Sequence, residues 1–427
     1  METRSPVGYE APNASMVEAA NTADGTLELP YRFGSYLLFD RIGVGGMAEI
    51  YLARGRTRVG VTRLAVVKLV LPSLAGEGRF ADMLIAEAKL AAQLSHASVV
   101  QTYDLGREAG RLYIAMEYVE GFDLNELLRR CTRAKLPLPA EFVFLVVGET
   151  LRALDYAHRR KDTEGRPLGI VHRDVSPSNV LISFEGEVKL CDFGIARAVN
   201  VLAGASAEAI EGKAAYMSPE QARGEAIDGR ADVFAASIVL WELISGRRLY
   251  KPLAGQDALA VAREAEIPPM PDRGLPDQAR LERIVRRGLH RDPAERYPTA
   301  LAMARELDAY AADNQLITSP LRMGAFLTEH FGGEIIDARR ARERAAEAID
   351  LGPLLEIEIV SLPDAPAPRV ETPPRVETPP AQTRDNTLAS GTAPPAAQGF
   401  PFAAKMAIAG LAIAALAASA GWLLARH

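Results

Sequence analysis

The chain has 427 residues, 48% of them hydrophobic and 24% charged, with a formal net charge of −6. That length exceeds one ordinary domain, the apolar share supports a real core, and the mild acidity gives no global attraction to nucleic acid. Two cysteines, Cys131 and Cys191, make no disulfide framework, and none of the six histidines stands at zinc-ligand spacing, so both thiols read as reduced and cytoplasmic.

Residues 1–32 read as a disordered leader; they lack the apolar segment of a signal peptide. The run Ile42-Gly43-Val44-Gly45-Gly46-Met47-Ala48-Glu49-Ile50-Tyr51 then predicts a glycine-rich hairpin, whose backbone N–H groups can close over phosphates because no Cβ intervenes. Taken alone it is an ordinary turn. Leu64-Ala65-Val66-Val67-Lys68 predicts a strand ending in a cation, and Phe80 to Leu94 a helix carrying Glu87. By themselves these are a solvent lysine and an exposed helix carboxylate. Leu112 to Gly121 predicts a further strand running into a loop, and Asp123 follows at a position suited to a helix N-cap.

The most specific signal comes next. His172-Arg173-Asp174-Val175-Ser176-Pro177-Ser178-Asn179 has the pattern H-R-D-x-x-x-x-N, and Asp192-Phe193-Gly194 follows at short range. The chemistry of that pair is phosphoryl transfer from a nucleotide: one Asp beside the acceptor hydroxyl to take its proton, and an Asn and a second Asp to hold magnesium against the phosphates. Downstream lie Tyr216-Met217-Ser218-Pro219-Glu220, Asp232 in Arg230-Ala231-Asp232-Val233-Phe234, and Arg296 in Arg291-Asp292-Pro293-Ala294-Glu295-Arg296-Tyr297.

In this order the motifs resemble the protein kinase family, specifically bacterial serine/threonine kinases of eukaryotic (Hanks) type. The resemblance runs from about Phe33 to about Tyr310. It implies an α+β, two-lobed fold: a small antiparallel β lobe with one helix, a larger helical lobe, and ATP with Mg²⁺ between them. It makes Asp174 the base, Lys68 the grip on the α- and β-phosphates, Glu87 the ion-pair partner of Lys68, and Asn179 and Asp192 the metal ligands. Gly43, Val44, Gly45 and Gly46 cover the phosphates. Ile42, Ile50, Val66, Met116 and Leu181 wall the adenine pocket, Met116 as gatekeeper, and the backbones of Glu117 and Val119 bond the adenine edge. Asp123 has two readings, reach to the ribose hydroxyls or a helix N-cap. Asp232 braces the catalytic loop, and Arg296 pairs with Glu220.

Several positions depart from the family pattern. Ala48 replaces a glycine, Val66 an alanine, and Ser218 the alanine of the A-P-E motif. Ser176 stands where most serine/threonine kinases have Lys, and Lys213 follows Gly212 where they have Thr. An exchange of roles is expected, with Lys213 supplying the missing cation to the site; the alternative is a Lys213 that faces solvent. Between Phe193 and Pro219 there is no Thr, which leaves Ser206 as the activation-loop phosphosite, or else no phosphate is needed and Glu208 or Glu211 partners Arg173.

Beyond the catalytic domain (33–310), residues 311–350 predict a helical extension, with helix from about Arg322 to Ala348. Its basic run Ala338-Arg339-Arg340-Ala341-Arg342-Glu343-Arg344 reads as a solvated helical face, without the interleaved aromatics of a nucleic-acid site. Residues 351–402 form a Pro-rich disordered linker, with a tandem repeat at Pro368–Pro373 and Pro374–Pro379. Thr372 and Thr378 within it are either autophosphorylation sites or plain spacers.

Residues 403–427 contain the uncharged run Met406 to Ala425, bracketed by Lys405 and Arg426. It is long enough to cross a hydrocarbon core of roughly 30 Å. A single-pass tail anchor in the bacterial cytoplasmic membrane is expected, with the kinase domain in the cytoplasm; a buried soluble helix is the competing reading. The small residues of the anchor would permit a homodimer. The expected function is ATP-dependent phosphorylation of Ser/Thr hydroxyls on protein substrates, in signalling at the membrane, with no nucleic-acid partner. The alternative is a pseudokinase scaffold, and a third, a small-molecule kinase of related fold, sits poorly with the docking motif at Tyr216 to Glu220.

Overall fold

The computed structural model describes residues 27, 29–45, 48–56, 62–71, 78–108, 110–193, 214–250 and 257–350. The leader, Gly46, Gly194, Ser206, Lys213, the linker repeat and the run Met406–Ala425 lie outside them. Among the described residues no helix is long and apolar enough to cross a membrane.

The small lobe is built on one antiparallel sheet. Its strands are β1 (Tyr31–Phe33), β2 (Tyr36–Val44), β3 (Ala48–Arg56), β4 (Thr62–Val70), β5 (Thr102–Glu108) and β6 (Arg111–Glu117), in the order β1-β2-β3-β4-β6-β5. The period-two pattern of β4 decides its orientation. Ala65, Val67 and Leu69 are fully buried among Phe33, Leu38 and Tyr51, so Val66 and Lys68 must face the other way. Helix α1 (Gly78–Ala91) packs on that second face, where Leu84 and Ala88, four residues apart, bury against Val70, Leu112 and Ile114.

After β6 the chain passes through Tyr118, Val119 and Glu120 into β7 (Gly121–Asp123). That strand pairs with β8 (Val180–Ser183), which pairs with β9 (Val188–Leu190). Helix α2 (Leu124–Arg133) begins at once, its first turn capped by Asp123, whose carboxylate accepts from the Glu126 N–H at 2.8 Å.

The large lobe is centred on α3 (Ala140–His158), which is apolar around nearly its whole circumference and is therefore surrounded. Its neighbours include α5 (Gly229–Ser245) and α8 (Ala300–Asp313), with α4 (Pro219–Arg223), α6 (Ala258–Glu264) and α7 (Gln278–Gly288) outside them. Helix α5 is delimited by sequence: Asp228 caps its start and Gly246, left-handed at φ 65°, ends it. Helix α8 runs to Asp313, so a boundary at residue 310 would cut its last turn.

The final helix, α9 (Pro320–Asp350), is longer at both ends than the expected 322–348. Met323, Leu327, Phe331 and Ile335 form a buried stripe at spacing four. Within its basic run Arg339, Arg340 and Glu343 are exposed, in line with a solvated face. Arg339 and Arg342 continue that same stripe and both pair with Glu120. The helix period shows which residues share a face; what the face meets is settled by packing.

Candidate active site

Lys68 is delivered by β4, between Ile50 of β3 and Ile114 of β6. Its ammonium forms an ion pair with the Asp192 carboxylate. Burial alone would push its pKa down, but the neighbouring Asp192 charge outweighs this and the ammonium is held above its ordinary value. The expected pair with Glu87 is not among the described ion pairs: Glu87 lies 3.8 Å from the Arg173 guanidinium. Asp192, with its backbone in the left-handed region at φ 64°, lies against the Lys68 ammonium, and Glu87 lies beside Arg173 instead.

The catalytic loop is tied to its surroundings by backbone hydrogen bonds. Asp232, buried on α5, accepts from the backbone N–H groups of His172 at 2.7 Å and Arg173 at 2.8 Å, and meets His158 Nε2 at 2.7 Å. Burial by itself raises the pKa of this carboxylate; its bonds and the nearby imidazoles reverse that and hold it below the usual range. Gln221 Nε2 donates to the Arg173 carbonyl at 3.0 Å.

His172 accepts from the Asp174 N–H through Nδ1 at 3.2 Å, so its Nε2 carries the proton and donates to the Cys191 carbonyl at 2.8 Å. The side-chain amide of Asn179 donates to the Asp174 carbonyl at 2.6 Å, and the Cys191 N–H donates to the Asn179 carbonyl at 2.9 Å. Asp174, Asn179 and Asp192 are thereby linked through a short hydrogen-bonded circuit. With its amide nitrogen committed, Asn179 keeps Oδ1 for another ligand. That oxygen and the Asp192 carboxylate are hard donors of the kind Mg²⁺ takes with phosphate oxygens, so these residues fit the ion.

Of the residues expected to wall the adenine pocket, Val66, Met116 and Leu181 fall in one apolar cluster, and Ile42 and Ile50 lie outside it. Val66, Val119 and Leu181 pack against Met116 and Cys191. Beside Met116 a small cavity of about 20 Å³ is bordered by Thr102, Ile114, Asp192 and Phe193, which is room for about one water molecule. Ile42 and Val44 form the roof, 47% and 65% exposed, with Gly43 facing Ile50. The Gly45 N–H donates to the Ala48 carbonyl at 2.9 Å, closing the hairpin.

The Glu117 N–H is spent on the Gln101 carbonyl at 2.8 Å, so any backbone contact of Glu117 with adenine must come from its carbonyl. Of the two readings of Asp123, the structure shows the helix cap. The Cys191 thiol is buried, and burial pushes its pKa well up, which keeps it protonated and unreactive. Below the site, Arg296 and Glu220 form a buried two-point pair at 2.7 and 2.8 Å.

Sequence reasoning missed His158 under Asp232, Gln221 under Arg173, Lys189 paired to the Glu117 side chain at 2.7 Å, and Glu120 behind the hinge. His158 and Lys189 are lone polar residues with no motif around them, while Gln221 and Glu120 adjoin the Tyr216–Glu220 and Leu112–Gly121 runs without any pattern that names their partners. Ser176 turns its hydroxyl to Ser178 at 3.0 Å. Its expected exchange partner, Lys213, lies outside the described residues.

The family described as the protein kinase domain matches residues 36–306. The chain belongs to the protein kinase family. Among curated proteins it is 38% identical over 320 residues to the tyrosine-protein kinase MasK of Myxococcus xanthus, covering 73% of this chain and 48% of that one. It is 36% identical over 303 residues to the serine/threonine-protein kinase PknL of Mycobacterium tuberculosis, covering 70% of each. Similarity to the serine/threonine-protein kinase PknB of Mycobacterium leprae is 36% over 287 residues, covering 65% of this chain and 43% of that one. For several of these relatives, therefore, the chain spans less than half of their length. The crystal structure of the Mycobacterium tuberculosis PknI kinase domain superposes with a TM-score of 0.52 at 28% identity, covering 67% of this chain and all of that one. This kinase domain thus carries the two-lobed fold of the family.

Proposed function

We propose that this kinase domain transfers the γ-phosphoryl group of ATP to Ser or Thr hydroxyls of protein substrates. The observation that carries the reading is the convergence of Lys68, Asp174, Asn179 and Asp192 on one cleft beneath a glycine-closed hairpin. Asp174 takes the proton of the acceptor hydroxyl as its oxygen bonds to the γ-phosphorus. The bond from that phosphorus to the bridging oxygen breaks, and ADP leaves. Lys68 supplies positive charge to the phosphates, and Met116, Val66 and Leu181 exclude water from the base. Bound Mg²⁺, held by Asn179 and Asp192, would neutralise phosphate charge. Beyond that proton transfer, the protein's contribution is positioning and charge stabilisation, so the residues matter by where they are held.

Serine/threonine acceptors are favoured by the relatives of that name, while a relative named a tyrosine kinase makes the acceptor the point to test. The full chain, purified in detergent, should label itself or a generic protein substrate with radiolabelled ATP and Mg²⁺. Asp174→Asn should abolish the label, and phosphoamino-acid analysis should return phosphoserine or phosphothreonine. Phosphotyrosine would overturn the acceptor assignment. An unlabelled wild-type chain that still binds ATP would bring the scaffold reading forward.

The proposal includes attachment to the cytoplasmic face of a bacterial membrane through Met406–Ala425, supported by the length and lack of charge of that run. Expressed in bacteria, the full chain should sediment with membranes and resist carbonate extraction, and a chain lacking 403–427 should not. Equal partition of the two would remove the anchor from the proposal.

A further inference from the structure

We propose that α9 is a brace behind the hinge, and that Arg339 and Arg342 are positioning residues which fix the nucleotide pocket through Glu120. This deepens the phosphotransfer reading, because it concerns how the same cleft is held.

The foot of the brace is rigid. Met323 and Leu327 are fully buried against the large lobe, followed by Phe331 and Ile335 at 5% exposure. Phe331 meets Phe122 of β7 edge-on at 5.9 Å, and Phe122 meets Phe184 at 5.1 Å. Arg130 of α2 lies over the Phe122 ring and pairs with Glu334 of α9. At the β8–β9 turn, Gly186 has φ 85°, and a Cβ there would stand 1.9 Å from the Pro320 carbonyl oxygen, so the start of α9 lies directly on that turn. A helix rises about 1.5 Å per residue, which carries the stripe from Met323 to Arg342 over roughly 28 Å, from the large lobe to the hinge.

At the far end the apolar stripe becomes cationic. Arg339 donates from Nε to Glu120 at 3.0 Å and lies 2.9 Å from it through Nη2; Arg342 pairs with the other Glu120 oxygen. Two guanidiniums thus grip one carboxylate from positions three apart on one helix face. Arg342 also lies over the Tyr118 ring at 5.5 Å.

Glu120 directly follows Val119, the residue whose backbone faces adenine by family resemblance. Its own carbonyl is held by the Phe184 N–H at 2.9 Å. The hinge is therefore pinned at Glu120 twice, by backbone to the large lobe and by side chain to α9. Past the hinge, α9 faces β3 and β4 across an opening of about 500 Å³ bordered by Arg54, Leu64 and Glu343. A brace fastened at the hinge sets where the adenine edge sits.

The test uses the full chain and reads ATP affinity by calorimetry beside steady-state kinetics. The variants are Glu120→Gln, Arg339→Ala with Arg342→Ala, Arg342→Lys, and the swap Glu120→Arg with Arg342→Glu. The brace predicts that Kd and KM for ATP rise roughly three- to tenfold in the Gln and double-Ala variants, with kcat within about twofold, since uniform nucleotide binding is what is lost. The Lys variant should fall between, and the swap should recover most of the affinity.

Unchanged Kd and KM would overturn the proposal. So would a lowered melting temperature with kcat and ATP affinity falling together and no recovery in the swap, which is what a merely structural helix would give. Because Kd is read without turnover, a wild-type chain that binds ATP but transfers nothing would sink the phosphotransfer reading and leave the brace to be judged on affinity alone.

Discussion

The side-chain amide of Asn179 donates to the backbone carbonyl of Asp174 at 2.6 Å, so the residue that would hold the metal also holds the loop that presents the base. Asn179→Asp keeps an oxygen for the ion but removes the donor. Its kcat should fall by roughly 100-fold or more, the scale seen when one positioned electrostatic group is lost, and raising Mg²⁺ should not restore it. Full recovery at high Mg²⁺ would show that the loop tie is unimportant.

Lys68 and Glu87 should separate in their effects. Lys68 sits on the Asp192 carboxylate, whereas Glu87 lies near Arg173. Lys68→Met should reduce transfer roughly 1,000-fold, in line with removal of a central charge-stabilising group, with the melting temperature little changed. Glu87→Gln should cost far less than Lys68→Met if the observed pairing also holds during turnover. Equal losses would mean that α1 moves to deliver Glu87 to Lys68 in the working enzyme.

The Arg296–Glu220 pair is a structural prediction. Arg296 is 2% exposed, and its guanidinium also bonds the carbonyls of His290, Arg230 and Arg291. Arg296→Met leaves the Glu220 carboxylate buried without its partner, at a cost of about 3–5 kcal/mol. Chemical denaturation should show that loss. The double variant with Glu220→Gln should recover part of it, and a cycle with no coupling would contradict the geometry.

Glu242 gives a pH prediction. Burial pushes its carboxyl up to about 7, against a weaker opposing hydrogen bond from the Leu249 N–H; the half-exposed Arg248 guanidinium, 3.3 Å away, also favours the charged form but is screened by solvent. A carboxyl whose folded pKa lies above its unfolded value contributes stability that is full below the unfolded pKa, near 4.5, and is lost as pH rises through about 7. Glu242→Gln mimics the neutral form: one atom can accept from Leu249 and the other donate to the Tyr216 hydroxyl, now 2.7 Å away. The variant should exceed wild type in stability at pH 8 by on the order of 1–3 kcal/mol, with little difference at pH 5. A difference independent of pH would assign the effect to packing.

Residues that act through a short stretch of backbone were legible. His172, Arg173, Asp174 and Asn179 lie within eight positions because one tight loop must present base and metal ligand together, and that demand leaves a pattern in the chain. The apolar run of β4 likewise announced a strand ending at Lys68, while which of its residues share a face came from the burial of Ala65, Val67 and Leu69. Partners supplied from far away left no such trace. His158 and Asp232 are 74 residues apart, and nothing near His158 marks it as the support of a loop.

The chain by itself determined the protein kinase fold and the identity of the groups in the cleft, because strand alternation, helix stripes and loop motifs are short-range consequences of backbone geometry. Only the tertiary structure decided how those groups are paired. Lys68 met Asp192 and not Glu87, and Arg339 and Arg342 both met Glu120. Such choices depend on how α1 and α9 are set against the rest as rigid bodies. That placement is fixed by buried contacts such as Leu84 on Ile114 and Phe331 on Phe122, which join residues tens to hundreds of positions apart.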